Sequence, residues 1–403
     1  MLSAEVAADP YSFYRRLRNE RPVYYDESIK GYLVTRHKDV GAAYRNSVFT
    51  TRNYEWQLQP VFGRGLLQMD GREHAQKRSL ISPHFRGKGA DRWHEVIARV
   101  CAQLVGGIAE RNVGELSRRL ESGTEIDLCA EFANHLPITV IADLLGLPRA
   151  DRSRFFAWYG AMIGFLSNLA NDPETGAIGV RAKQEFDEYI EPVIRQRREH
   201  PGEDLVSAMC TVEVDGQRLD DEEVRTHITQ LLVAGAETTD KTIGNLFSHL
   251  LSNPDQLDAV REERTLALNA IAETLRYTPP SQMNARVTAG PVTIAGQPVP
   301  QGTTVTLVIA SANRDERRFA RPDTFDIFRP DAHPDRAFSG AADHFAFGSG
   351  RHFCLGAMLA KVELETSLNM LLDRFPRMRL ADGFVPRETG LKMRAVPELR
   401  IAL

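Results

Sequence analysis

Ten consecutive residues, Phe347-Gly348-Ser349-Gly350-Arg351-His352-Phe353-Cys354-Leu355-Gly356, constrain this chain more than any other stretch. Their cysteine stands at the start of an apolar helical pattern formed by Leu355, Met358, Leu359, Val362 and Leu364. A cysteine beside a helix N-terminus meets unpaired N–H groups and a partial positive charge, and both favour its thiolate. Gly348, Gly350 and Gly356 allow the backbone to come close to something flat and large. A thiolate in that setting suits the proximal side of a haem iron, where it pushes electron density toward bound oxygen.

The rest of the chain reads as mostly helical with a few short strands. Apolar residues recur at helical spacing over about 90–112, 131–146, 151–168, 178–199, 220–252 and 354–374. Pro22-Val23-Tyr24-Tyr25 and Tyr32-Leu33-Val34-Thr35 flank a polar turn and predict a hairpin. Val287, Val292, Ile294, Val299, Val305, Leu307 and Ile309 mark a second strand cluster. The coil from about 313 to 350 is long for a compact domain, and a cofactor-binding loop would explain it. No linker, repeat or low-complexity segment divides the 403 residues, so one domain over 1–403 is expected.

Composition excludes several classes. Hydrophobic residues at 42% and charged residues at 26% are a globular balance, and a net charge of −4 does not suit nucleic acid. No apolar run reaches the length of about 18 residues that a membrane span needs. The stretch Met1-Leu2-Ser3-Ala4-Glu5 offers no basic region followed by an apolar one, so no secretion signal is expected. Cys101, Cys129, Cys210 and Cys354 lie far apart and include no C-x-x-C pair. That argues against a disulfide framework or zinc site and fits a reducing cytoplasm.

Two more segments carry chemistry. Leu231-Leu232-Val233-Ala234-Gly235-Ala236-Glu237-Thr238-Thr239-Asp240 lies midway along the longest helical pattern. A glycine there costs about 1 kcal/mol relative to alanine, and a threonine hydroxyl can bond back to a carbonyl one turn earlier and bend the helix. Ala234 and Gly235 leave room for oxygen and water, while Glu237 and Thr238 pair a proton source with a hydroxyl that positions it. In Glu273-Thr274-Leu275-Arg276 the acid and the base sit at i and i+3, on one helix face, where they can pair.

These segments together resemble the cytochrome P450 family. The cysteine loop is similar to its F-x-x-G-x-(H/R)-x-C-x-G pattern at Phe347, Gly350, His352, Cys354 and Gly356. The mid-helix segment is similar to (A/G)-G-x-(D/E)-T at Ala234, Gly235, Glu237 and Thr238, and Glu273/Arg276 to E-x-x-R. The resemblance runs in family order from Asp9-Pro10-Tyr11 to Val396-Pro397. It implies a mainly α helical prism with small β-sheets, and haem b between the oxygen-binding helix and the cysteine-loop helix. Cys354 becomes the axial ligand, Gly348 part of its loop, and Thr238 with Glu237 the catalytic proton pair. His74, Arg78, Arg286 and His352 become donors to the haem propionates. Glu273, Arg276 and Arg329 become a structural lock on the coil.

The implied reaction is insertion of one atom of O2 into a small organic substrate, with electrons from a ferredoxin and its reductase. Arg72, Lys77 and Arg351 stand as surface cations for that partner. The implied pocket falls on Tyr54 and Trp56, on Phe155 to Leu169, on Gln230 to Ala234 with Val233, on Gln282 and Asn284, and on Met393. Their mixed polarity suggests a mid-sized, partly polar natural-product intermediate. A haem sensor without turnover, or a peroxide-using or coupling variant, is the alternative; the Glu237–Thr238 pair speaks for O2 use.

Overall fold

The computed structural model describes residues 4–116, 125–168 and 172–403. Among them the chain is mainly helical with small sheets. It divides into two compact units, one of 1–50, 101–135 and 238–403, the other of 51–100 and 136–237.

The first unit holds a five-stranded sheet in the order Val23–Asp26, Gly31–Val34, Thr304–Leu307, Asn284–Thr288, Phe49–Thr50. Thr304–Leu307 pairs parallel with Gly31–Val34, and the other pairs are antiparallel. β-Branched residues suit the central strand, and Val305 and Leu307 bury completely there. They pack with Val34, Val40, Tyr44, Ile309 and Phe345. Period-two alternation fixes the register, because a slip of one residue would turn these side chains to the other face.

The helix Ala267–Tyr277 buries Ala267, Ala270, Ile271, Thr274 and Leu275. Pro279 and Pro280 forbid its continuation. The expected coil runs from Asn313 to the helix Ala357–Arg374, interrupted only by 3-10 turns at Pro334–Arg336 and Gly350–His352. Such a coil has no ladder to satisfy its carbonyls, so side chains do it. Arg276, 1% exposed, gives two bonds to Glu273 and others to the carbonyls of Asn313, Pro322 and Thr324. Arg329 gives one to Glu273 at 2.9 Å and others to the carbonyls of Ala320, Arg321 and Thr324.

The second unit packs Arg152–Ser167 against Pro173–Glu199 through Phe155, Trp158, Phe186 and Tyr189, whose ring centroids lie 5.4–6.0 Å apart. Trp158 finds a partner for its indole N–H in Glu185, at 3.0 Å. The longest helix, Asp221–Ser252, runs unbroken through Gly235.

Candidate active site

The cysteine loop folds as a chain of tight turns. Gly348 and Gly350 have φ of 68° and 70°, a left-handed conformation that side chains rarely adopt. At Gly350 a Cβ would also lie 2.6 Å from the carbonyl oxygen of Tyr44. Gly356 differs, since its φ is −83° and a Cβ would meet no protein atom within 4 Å. Neither backbone strain nor packing by protein atoms calls for a glycine there. Cys354 N–H donates to Phe347 O at 2.9 Å, which pins the cysteine backbone. Phe347 packs its ring 5.3 Å from that of Phe338.

Cys354 is the exposed cysteine of the four, while Cys101, Cys129 and Cys210 are buried. Burial pushes the Cys101 and Cys129 thiols up to about 12 and raises that of Cys210, so these three stay protonated. Among the described residues no group of three or more His, Cys, Asp or Glu converges as a metal site. His352, partly exposed, lies in the 3-10 turn before Cys354.

The strand Asn284–Thr288 carries Asn284 and Arg286 on one face by alternation. Arg286 is 5% exposed and donates from Nη1 to Ala285 O at 2.7 Å. Its guanidinium carbon stands 5.5 Å from the centroid of the Tyr44 ring. Asn284 Nδ2 donates to Tyr44 Oη at 3.0 Å. Asn284, expected against substrate, therefore has a protein partner. Gln282 is fully buried and ties a turn, donating from Nε2 to Pro279 O. Met393 bridges to Ser281 across a short antiparallel contact.

In the second unit, His74 and Arg78 lie one turn apart on the helix Gly71–Ile81. His74 is buried at 3% exposed and Arg78 is partly exposed. Asp70, just before that helix, accepts from the backbone and the hydroxyl of Thr51. Tyr54 is partly exposed, and Trp56 is 60% exposed, on the solvent side of the short helix Asn53–Gln57. Of the expected stretch Phe155 to Leu169, Phe155 belongs to the aromatic packing above, and Leu169 lies outside the described residues.

Along Asp221–Ser252, Leu231, Gly235 and Thr238 are partly exposed and Ala234 is exposed, while Leu232, Val233, Ala236 and Thr239 are buried. Positions 231, 234, 235 and 238 follow i, i+3, i+4, i+7 and share one helix face; it is open at Ala234, whereas a Cβ at Gly235 would lie 3.2 Å from the Ile141 side chain. Glu237 is partly exposed beside it. Val233, at 1% exposed, packs away from this face. The Thr242 hydroxyl donates to Thr238 O at 2.7 Å, the back-bonding expected of threonines in this segment, one turn further along.

Two of the three surface cations have internal duties. Lys77 forms an ion pair with Glu223, and Arg351 donates to Phe49 O at 2.9 Å. Arg72 is exposed. Two residues went unnoticed in the sequence. Tyr44 sits one turn after Val40 in an ordinary amphipathic pattern, and nothing local marks it. Glu363 is 1% exposed on the helix Ala357–Arg374, and burial pushes its carboxyl up to about 8. A carboxylate one turn from both Leu359 and Ser367, amid an apolar stripe, was the readable signal.

The model of the cytochrome P450 family matches residues 161–383, more than half of the chain. Pulcherriminic acid synthase of Bacillus subtilis is 36% identical over 100% of this chain and 97% of its own. Cyclomarin C epoxidase of Salinispora arenicola is 33% identical over 91% of this chain and 89% of its own. The solved structure of the cytochrome P450 of the bacillaene polyketide synthase of Bacillus subtilis superimposes with a TM-score of 0.86. It is 28% identical and covers 100% of this chain and 98% of that one. The mainly helical architecture with small sheets is the fold of that structure. The chain belongs to the cytochrome P450 family, oxidoreductases that carry haem b on a cysteine thiolate.

Proposed function

We propose that this chain is a monooxygenase that inserts one atom of O2 into a natural-product intermediate, by hydroxylation or epoxidation. A ferredoxin reduced by a ferredoxin reductase supplies the electrons, and the reaction takes place in the cytoplasm. Residues 1–403 act as one catalytic domain, a reading supported by alignment of the whole chain with a single relative. Among the described residues no helix is long and apolar enough to cross a membrane.

One observation carries the assignment of the ligand. Cys354 alone of the four cysteines is exposed, in a loop turned by left-handed glycines with its backbone pinned. The residues fit haem b. Among the described residues no cluster of His, Cys, Asp or Glu could complete a metal site, so a metal held there by one sulfur would bring its remaining ligands with it, as a porphyrin does. Gly356 leaves room for a close flat neighbour, and the small residue Ala234 is exposed on its helix.

When bound, haem b supplies dioxygen binding and, with a thiolate ligand, cleavage of the O–O bond. The chain itself holds the group, shapes the site and moves the protons. Cys354 Sγ would hold the haem iron, and Phe347, Gly348, Gly350 and Gly356 shape its loop. Arg286, His74, Arg78 and His352 present cations and N–H donors to the propionates. The Glu237 carboxyl delivers protons, and Thr238 Oγ1 holds the proton in line for transfer. The exposed Ala234 leaves its stretch of helix open to oxygen, Gly235 lets the helix pack close to Ile141 beside it, and Tyr54 and Met393 contact the substrate. Glu273, Arg276 and Arg329 keep the coil rigid so that the sulfur is preorganised.

Two relatives bear the names of a synthase of an acid and of an epoxidase of cyclomarin C, which supports a mid-sized, partly polar substrate. The first test is the Soret band of the reduced CO complex. A thiolate ligand shifts it far to the red and an imidazole does not. Cys354→Ser should abolish the red-shifted band; its survival would refute the assignment. NADPH oxidation with a surrogate ferredoxin and reductase then tests turnover. A screen for substrate-induced spin-state shifts over natural-product intermediates identifies the substrate class.

A further inference from the structure

We infer that Tyr44 is a positioning residue, set where the strand that carries Arg286 meets the glycine turn that leads to Cys354. The inference rests on the reading of Arg286 and Cys354 given above. Three contacts, all within the first unit, point to it. Tyr44 is 5% exposed, and its Oη accepts from Asn284 Nδ2 at 3.0 Å. The face of its ring lies 5.5 Å from the Arg286 guanidinium carbon, and that arginine is itself 5% exposed. Its carbonyl oxygen would lie 2.6 Å from a Cβ at Gly350, and its Cε1 3.8 Å from one at Gly348.

The physics of each contact favours a fixed arginine. A buried guanidinium has few waters to satisfy it, so a ring face gains in value as an acceptor of its charge. Asn284 and Arg286 alternate on one face of the same strand, so a bond from Asn284 to the phenol also sets the height of the ring beside Arg286. Phe345, 5.7 Å away centroid to centroid, holds the ring from a second direction. The glycine turn packs on the backbone of the same residue. Tyr44 therefore links the two, by its side chain to the strand that carries the buried cation and by its backbone to the loop that carries the sulfur. A phenylalanine would keep the ring and lose the bond that sets its position.

The test is the rate at which the haem-loaded protein gives up its haem to excess apomyoglobin. Tyr44→Phe should release haem about three- to tenfold faster, the equilibrium ratio that loss of one ordinary hydrogen bond allows. The thermal midpoint of the haem-free chain should stay within experimental error of the parent. In an Arg286→Leu background, Tyr44→Phe should add nothing, because the phenol acts through the arginine. An unchanged release rate in Tyr44→Phe overturns the inference. So does an equal further acceleration in the Arg286→Leu background, or faster release accompanied by a lowered midpoint, which would mark a merely structural role. Arg286→Leu alone separates the two readings. If it holds haem as tightly as the parent, the propionate role of Arg286 fails; if it releases haem quickly while Tyr44→Phe does not, only the role of Tyr44 fails.

Discussion

Replacing Glu363 by glutamine should change how stability depends on pH. Glu363 is 1% exposed, and its Oε1 has no hydrogen-bond partner. Burial pushes its carboxyl up to about 8, against a small opposing pull from the Thr239 hydroxyl. It is therefore a neutral acid in the folded protein at pH 7. In the unfolded chain it releases its proton near the ordinary value of 4.5. Below that value both states hold the proton and its contribution to stability is fully present. As pH rises toward about 8 the unfolded state alone loses the proton, and stability falls. At about 1.4 kcal/mol per pH unit, the interval from 4.5 to 8 corresponds to roughly 5 kcal/mol.

Glu363→Gln keeps the shape and cannot ionise. Its extra buried N–H costs about 1–3 kcal/mol, the same at every pH. The variant should therefore be slightly weaker than the parent near pH 5 and stronger near pH 8, so that the two curves cross. Urea denaturation of both haem-loaded proteins at half-unit pH steps reads this directly. Parallel curves would refute the reasoning, because they would mean that Glu363 is already ionised in the folded state.

Glu273→Gln should destabilise the fold by about 3–5 kcal/mol and lower haem loading, because Arg276 and Arg329 then stay buried without their carboxylate; urea midpoints and the ratio of Soret to protein absorbance report both. Thr238→Ala should consume NADPH while releasing peroxide in place of product, and tight coupling retained in that variant would move the proton role to another residue. His249 is held at about 4 by burial, with Thr278 Oγ1 3.0 Å from Nε2. Its contribution is present above the ordinary value of 6.5 and is lost as pH falls through about 4, so His249→Gln should flatten the acid limb by roughly 3 kcal/mol. Thermal midpoints between pH 4 and 7 measure that slope.

What the sequence revealed follows from how far apart the cooperating residues lie. Glu273 and Arg276 are three residues apart, and helix geometry alone makes them neighbours. The cysteine loop and the segment Ala234–Thr238 are legible for the same reason, since each packs its chemistry into a few consecutive residues whose types conflict with plain helix or core. The bond from Asn284 to Tyr44 spans 240 residues and leaves no periodic trace. Asn284 thus read as a polar pocket residue, and nothing in the sequence drew Tyr44 out. Trp56 was misleading in the opposite sense. A tryptophan normally signals burial, but its helix is five residues long and buries only Asn53, so there is no second turn to carry the ring inward. Lys77 and Arg351 read as surface charge because their partners, Glu223 and the carbonyl of Phe49, come from distant parts of the chain. Glu363 lies between these cases. A helical pattern placed it on the apolar stripe of its own helix, so its burial was readable locally, whereas its meeting with Thr239 needed the packing of two helices more than a hundred residues apart. A charge that falls on an apolar stripe therefore deserves the same scrutiny as a motif, since burial alone is enough to set its protonation at pH 7.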